Sequence, residues 1–122
     1  MNYAQPPFVL MYVASPADSS HFYEHLLGTA PAESSPNFVM FVLAGGARLG
    51  LWRASHVEPT ATPAGGSEFA LAVDSREKVD AAHARLKESG LRIVQAPTAM
   101  EFGYTFVAVD ADGHRLRIFN PA

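Results

Sequence analysis

No cysteine occurs in this chain. That excludes disulfides, thiolate nucleophiles and cysteine metal sites, and it suits a cytoplasmic protein. Charge is scarce: Asp, Glu, Lys and Arg together make 17%, with a net charge of −3 at pH 7. There is no basic excess to attract nucleic acid, and none is expected as a partner. No apolar run approaches the ~18 residues of a membrane span. Met1-Asn2-Tyr3-Ala4-Gln5-Pro6-Pro7 lacks the basic and apolar regions of a signal peptide. Neither membrane insertion nor export is therefore expected. What the chain does have is apolar content, 48% over 122 residues. That is enough for one globular domain, residues 1–122, with a real core.

The closing stretch, Glu101 to Pro121, reads as two strands around a tight turn. Tyr104 to Val109 is rich in aromatic and β-branched residues, which fit a half-buried pleated surface. Asp110-Ala111-Asp112-Gly113 carries turn chemistry. From Arg115 to Phe119 the side chains alternate. Leu116 and Ile118 point one way, Arg115, Arg117 and Phe119 the other. A face of arginines and a phenylalanine is no ordinary solvent face. It suggests a lined cavity.

Earlier in the chain, Phe8 to Val13 is a strand. Ser15-Pro16-Ala17-Asp18 opens a helix with an N-cap serine, proline in the first turn and an acid near the positive end of the dipole. The helix runs to Leu27 and stops at Gly28. A weak edge strand is expected over Ala30–Ser34, limited by Pro31. Phe38–Leu43 and Ala47–Arg53 form a hairpin around Gly45-Gly46, with Ala44 facing Ala47. Residues 54–66 read as a linker, with Pro59, Pro63, Gly65 and Gly66 and no periodicity. The pattern then restarts: a strand over Ser67–Val73, a capping box from Asp74 to Glu77, and a helix to about Ser89 with Gly90 as its stop. A strand over Leu91–Ala96, ended by Pro97, leads into the closing hairpin.

The chain is thus an internal repeat, module 8–53 and module 67–121. The expected fold is α+β: two βαβββ modules forming a strongly curved mixed sheet around a groove, with the helices on the convex side. Strand alternation sorts the side chains. Phe8, Tyr12, Phe41, Trp52 and Phe119 are expected to line the groove, with Gly50, Ala70 and Ala72 leaving room. Arg48, Glu68, Arg115 and Arg117 carry its charges, and Phe102 and Tyr104 stand at its rim. Such a concavity fits a small-molecule site, and the same aromatics would also suit a dimer interface. Trp52, the lone tryptophan, is either a platform for a flat ring or interface packing. Arg115 and Arg117 would clamp a carboxylate or quinone-type oxygen, or Arg117 would pair with Glu68. Glu68, if unpaired and buried, would have a raised pKa and serve as a weak catalytic candidate. His56, in the linker, is a further candidate ligand contact. His21 and His25 read as surface groups of the first helix.

Two stretches carry a family resemblance. One is Ser15 to Gly28, with Phe22-Tyr23 and Leu27-Gly28. The other is Phe106 to Pro121, with Asp110-Ala111-Asp112-Gly113. There the chain resembles the glyoxalase / bleomycin-resistance / extradiol-dioxygenase family, the vicinal oxygen chelate superfamily, from Phe8 onward. The resemblance implies a homodimer with sites at or near the subunit interface. It also implies four metal-ligand positions, which fall here on Phe8, Gly50, Glu68 and Arg117. Only Glu68 of these can ligate a divalent ion, and a catalytic metal normally needs about three protein ligands. The expectation is therefore no metal and no cofactor. The chain would belong with the members that sequester antibiotics, and it looks most similar to the phenazine- and bleomycin-binding ones. The expected ligand is a flat aromatic small molecule, either an antibiotic or a redox metabolite. The alternative is a glyoxalase-type lyase, isomerase or dioxygenase with an atypical site.

Overall fold

The computed structural model describes residues 3–122. The chain divides into two compact units between Pro63 and Ala64, inside the expected linker. The first holds β1 (Phe8–Val13), α1 (Pro16–Leu27), β2 (Glu33–Ser34), β3 (Phe38–Val42) and β4 (Arg48–Arg53). The second holds β5 (Glu68–Ala72), α2 (Arg76–Glu88), β6 (Arg92–Met100), β7 (Gly103–Val109) and β8 (Arg115–Pro121). Each unit is a βαβββ module with its own four-stranded sheet, ordered β1-β4-β3-β2 and β5-β8-β7-β6. The first strand of each runs parallel to the last, and the remaining pairs are antiparallel. Among the described residues no helix is long and apolar enough to cross a membrane.

The local signals place the first helix. Ser15 accepts a hydrogen bond from the Asp18 N–H, and Pro16 opens α1. Gly28 closes it in the left-handed region, φ 70°. Only glycine adopts that conformation without steric cost. Tyr23 and Leu26 are buried beneath it, and the Tyr23 hydroxyl lies 3.1 Å from Met11 Sδ. In the second unit the cap is Ser75, which accepts from the Lys78 N–H. This corrects the Asp74–Glu77 box. Asp74 instead forms an exposed ion pair with Lys78 at 2.8 Å. Val79 and Leu86 are the buried stripe of α2, and His83 lies edge-on to Phe106 at 5.3 Å.

Two strand boundaries also change. β6 does not end at Pro97 but continues to Met100, with register shifts on either side of Gln95. It is an edge strand, where a residue without an N–H costs no ladder bond if that side faces outward. β2 shrinks to Glu33–Ser34, although the Ala32 N–H still reaches Met40 O at 2.8 Å.

The largest correction is in the β3–β4 hairpin. The Leu43 N–H donates to Ala47 O at 2.7 Å, so Ala44, Gly45 and Gly46 form the loop as a 3-10 turn. Gly45 and Gly46 have φ of 79° and 89°. A loop longer by one residue than the expected turn slips the register by one, and a one-residue slip reverses every side chain. Phe41 therefore lies opposite Leu49, not Gly50, and Val39 opposite Leu51. Phe41, Val39, Leu49 and Leu51 are all essentially fully buried. Phe41 is core, on the α1 side of its sheet, and does not line the opposite face.

Candidate functional site

On the sheet face away from α1, parallel register sets Phe8, Leu10 and Tyr12 of β1 beside Arg48, Gly50 and Trp52 of β4. Phe38 and Met40 of β3 complete it, opposite Trp52 and Gly50. Tyr12 meets Trp52 edge-on, centroids 6.3 Å apart. The Arg48 guanidinium lies 5.3 Å from the Phe8 ring centre. Phe8 and Leu10 are about half exposed, at 50% and 48%. This leaves an uncovered apolar surface beside the tryptophan. A side chain at Gly50 would stand 2.7 Å from Phe38 Cζ and 2.8 Å from Leu10 Cδ2. The missing Cβ is thus what lets these two side chains close over the strand. Sequence reading missed Phe38, because the expected hairpin register put it on the other side.

The corresponding face of the second unit carries charge. Glu68, Ala70 and Ala72 of β5 pair with Arg115, Arg117 and Phe119 of β8. Thr105, Val107 and Val109 of β7 oppose Phe119, Arg117 and Arg115. Arg117 grips Glu68 with two hydrogen bonds, Nε to Oε1 at 2.7 Å and Nη2 to Oε2 at 2.9 Å. Its third nitrogen, Nη1, donates to Gln95 Oε1 at 3.1 Å and Thr105 Oγ1 at 3.3 Å. Gln95 and Thr105 were not anticipated as partners, although Thr105 shares Phe119's face by simple alternation. Phe102 packs edge-on to Phe119 at 5.9 Å, with the Arg117 guanidinium 5.5 Å from its ring.

Tyr104 requires a correction. It pairs with Asn120, one residue out of step with Phe119, so it lies on the α2 side. There its hydroxyl donates to Asp80 at 2.7 Å, and Arg76 stacks 4.6 Å from its ring. That bond, holding the proton on the phenol, raises the Tyr104 pKa. His56 ends the short 3-10 turn Ala54–His56, exposed, with Nδ1 3.2 Å from Ser55 Oγ. Of the anticipated residues, the structure brings together Phe8, Tyr12 and Trp52 on one sheet. It groups Glu68, Phe102, Arg115, Arg117 and Phe119 on the other.

The pairing decides the chemistry of Glu68. The hydrogen bonds from Arg117 hold its pKa below the ordinary 4.5, against a smaller opposing effect of burial, with further help from the nearby Arg117 and Arg115 charges. It is an ionised, occupied carboxylate, not a proton donor of raised pKa. Since its native pKa is lowered, the stabilisation is complete above 4.5 and disappears as pH falls through the native value. Glu68→Gln should therefore lower stability by about 1 kcal/mol at neutral pH. Thermal melts should show that difference closing as pH falls below 4.5 and through the lowered native value. A constant difference across that range would remove the ion pair as its cause.

The positions that the resemblance assigns to metal ligands do not suit a divalent ion. Phe8 and Gly50 offer no side-chain ligand, and both Glu68 oxygens are already bonded to a cation, Arg117. Among the described residues no group of three or more His, Cys, Asp or Glu is placed to hold a metal ion.

Two successive βαβββ modules are a glyoxalase-like architecture. The chain belongs to the Glyoxalase/Bleomycin resistance protein/Dioxygenase superfamily, whose sequence pattern matches residues 5–118. Among its relatives is the phenazine antibiotic resistance protein EhpR of Enterobacter agglomerans. It is 28% identical over 116 residues, 93% of this chain and 89% of its own. A protein of Agrobacterium tumefaciens, known from a solution NMR structure, is 48% identical with a TM-score of 0.87, over 98% of this chain and 99% of its own. A glyoxalase-related enzyme of Fulvimarina pelagi shares the fold at 21% identity and a TM-score of 0.85, over 97% of this chain and 88% of its own.

Proposed function

We propose that this protein binds a flat aromatic small molecule, an antibiotic or redox metabolite, without a metal, and that it confers resistance by sequestration in the cytoplasm. The observation that carries this reading is the uncovered apolar face around Trp52, with Tyr12, Phe8 and Leu10 beside it. Conjugated rings gain about 0.5–1.5 kcal/mol from aromatic stacking beyond the area they bury. Kinship with a phenazine antibiotic resistance protein supports the same class of ligand. Glu68, the one candidate for lyase, isomerase or dioxygenase chemistry, has both oxygens held by Arg117, which favours binding over catalysis. The reading includes a homodimer with the ligand at or near its interface, since exposed Phe8, Leu10 and Val42 on the Trp52 face offer a second copy apolar surface. Sedimentation equilibrium gives the mass that checks it.

The test uses the single tryptophan. Titration with phenazines and naphthoquinones should quench its fluorescence saturably at micromolar ligand, and the ligand should be recovered unchanged. Calorimetry on Trp52→Ala should show affinity lower by about tenfold or more, which is ~1.4 kcal/mol. Equal affinity in the variant would remove Trp52 as the platform. Conversion of the ligand would replace sequestration with catalysis.

A further inference from the structure

We infer that Arg115, with the backbone of Gly65, Gly66 and Ser67, forms a binding site for the carboxylate of a small monoanionic organic acid. A concavity of about 430 Å³ opens in the second unit, lined by Gly65, Gly66, Ser67, Glu68, Gly113 and Arg115. That volume falls within the roughly 300–1,000 Å³ of small-molecule sites.

The two arginines of β8 on this face are not equivalent. Arg117 spends all three guanidinium nitrogens on Glu68, Gln95 and Thr105. No ion pair among the described residues includes Arg115. It stands close enough to favour the ionised form of Glu68 but does not bond to it. Because Arg117 already balances Glu68, the lining keeps one uncompensated positive charge, that of Arg115.

The wall opposite is bare backbone. Gly65 and Gly66 have φ of 152° and 72°, and a Cβ on either would meet nothing within 4 Å. Gly65, Gly66 and Ser67 enter none of the loop hydrogen bonds formed among the described residues. Their polar groups face no competing partner there. A guanidinium presents parallel N–H groups that match the two oxygens of a carboxylate. One net positive charge beside the Glu68 carboxylate favours a monoanion over a multiply charged phosphate, which Glu68 would repel. The site draws only on residues of the second unit. It stands or falls separately from aromatic binding at Trp52.

The test is a set of ¹H–¹⁵N titrations of the full chain with benzoate, its neutral analogue benzamide, and inorganic phosphate. Benzoate should saturably shift the amides of Gly65, Gly66, Ser67 and Gly113 and the Nε–H of Arg115. Benzamide should not shift them. Arg115→Gln should weaken benzoate at least about tenfold while the spectrum stays dispersed. Arg76→Gln, the same charge loss on α2, should leave it within about twofold. Shifts confined to other residues, or equal benzoate affinity in Arg115→Gln, would overturn the site. Phosphate shifting the same amides as tightly would overturn the carboxylate assignment.

Discussion

Alanine at Phe41 should destabilise the protein by about 3–5 kcal/mol. The ring is fully buried between strands whose other inward side chains, Val39, Leu49 and Leu51, are buried too. Removing it loses the transfer free energy of the ring and leaves a cavity that close-packed neighbours fill only in part. The contrasting substitution is Phe8→Ala. Phe8 is the same residue type but 50% exposed, and its loss should cost well under half as much. Urea denaturation of both variants gives the comparison. Similar midpoints would mean that Phe41 faces outward, as two-residue turn geometry would have it. A large loss at Phe41 alone would confirm the three-residue loop.

Gly103→Ala should be nearly as damaging, on the order of 3 kcal/mol. Gly103 starts β7 at φ 147°, a backbone region that residues with a side chain rarely enter. A Cβ there would collide with the carbonyl oxygen of Asn120 and stand 2.9 Å from its carbon. The obstacle is backbone on the neighbouring strand, not the tip of a flexible side chain. Relief requires the ends of β7 and β8 to separate. That would break the Gly103–Pro121 pairing and threaten the bond from the Ala122 N–H to Phe102 O, 2.9 Å long. A thermal melt measures the loss. Amide exchange should show it concentrated at Phe102, Gly103 and Ala122. A variant as stable as the parent would mean that the strand ends are already loose.

Much of this fold was legible because its signals are local. Ser15, Pro16, Asp18 and Gly28 each act within one helical turn, and α1 begins and ends where they say. The duplication was legible because strand, helix and glycine recur in the same order. Register was not. Whether Gly45-Gly46 closes a two-residue or a three-residue loop depends on a 3-10 turn that residue types alone do not dictate, and Phe41 changed sides with it. Tyr104 differs, because the pattern did hold the answer. It alternates with buried Phe106 and Ala108, which puts it on the helix side, where Asp80 and Arg76 receive it. The Glu68–Arg117 pair was half legible, since both lie on neighbouring strands of one face. Gln95 was hidden behind the register shifts of β6, which displace it relative to plain alternation.

Both sheets are closed by their first strand. β1 and β5 each lie at an edge and bond in parallel to the last strand of their own unit. The antiparallel pairs all come from strands adjacent in the chain. The parallel ladders instead join residues 40 positions apart in the first unit and 47 in the second, and closing such loops costs chain entropy before any contact repays it. Each half should therefore assemble its helix and meander first and capture its leading strand last. The slow step of folding then occurs twice in one short polypeptide, once for each half.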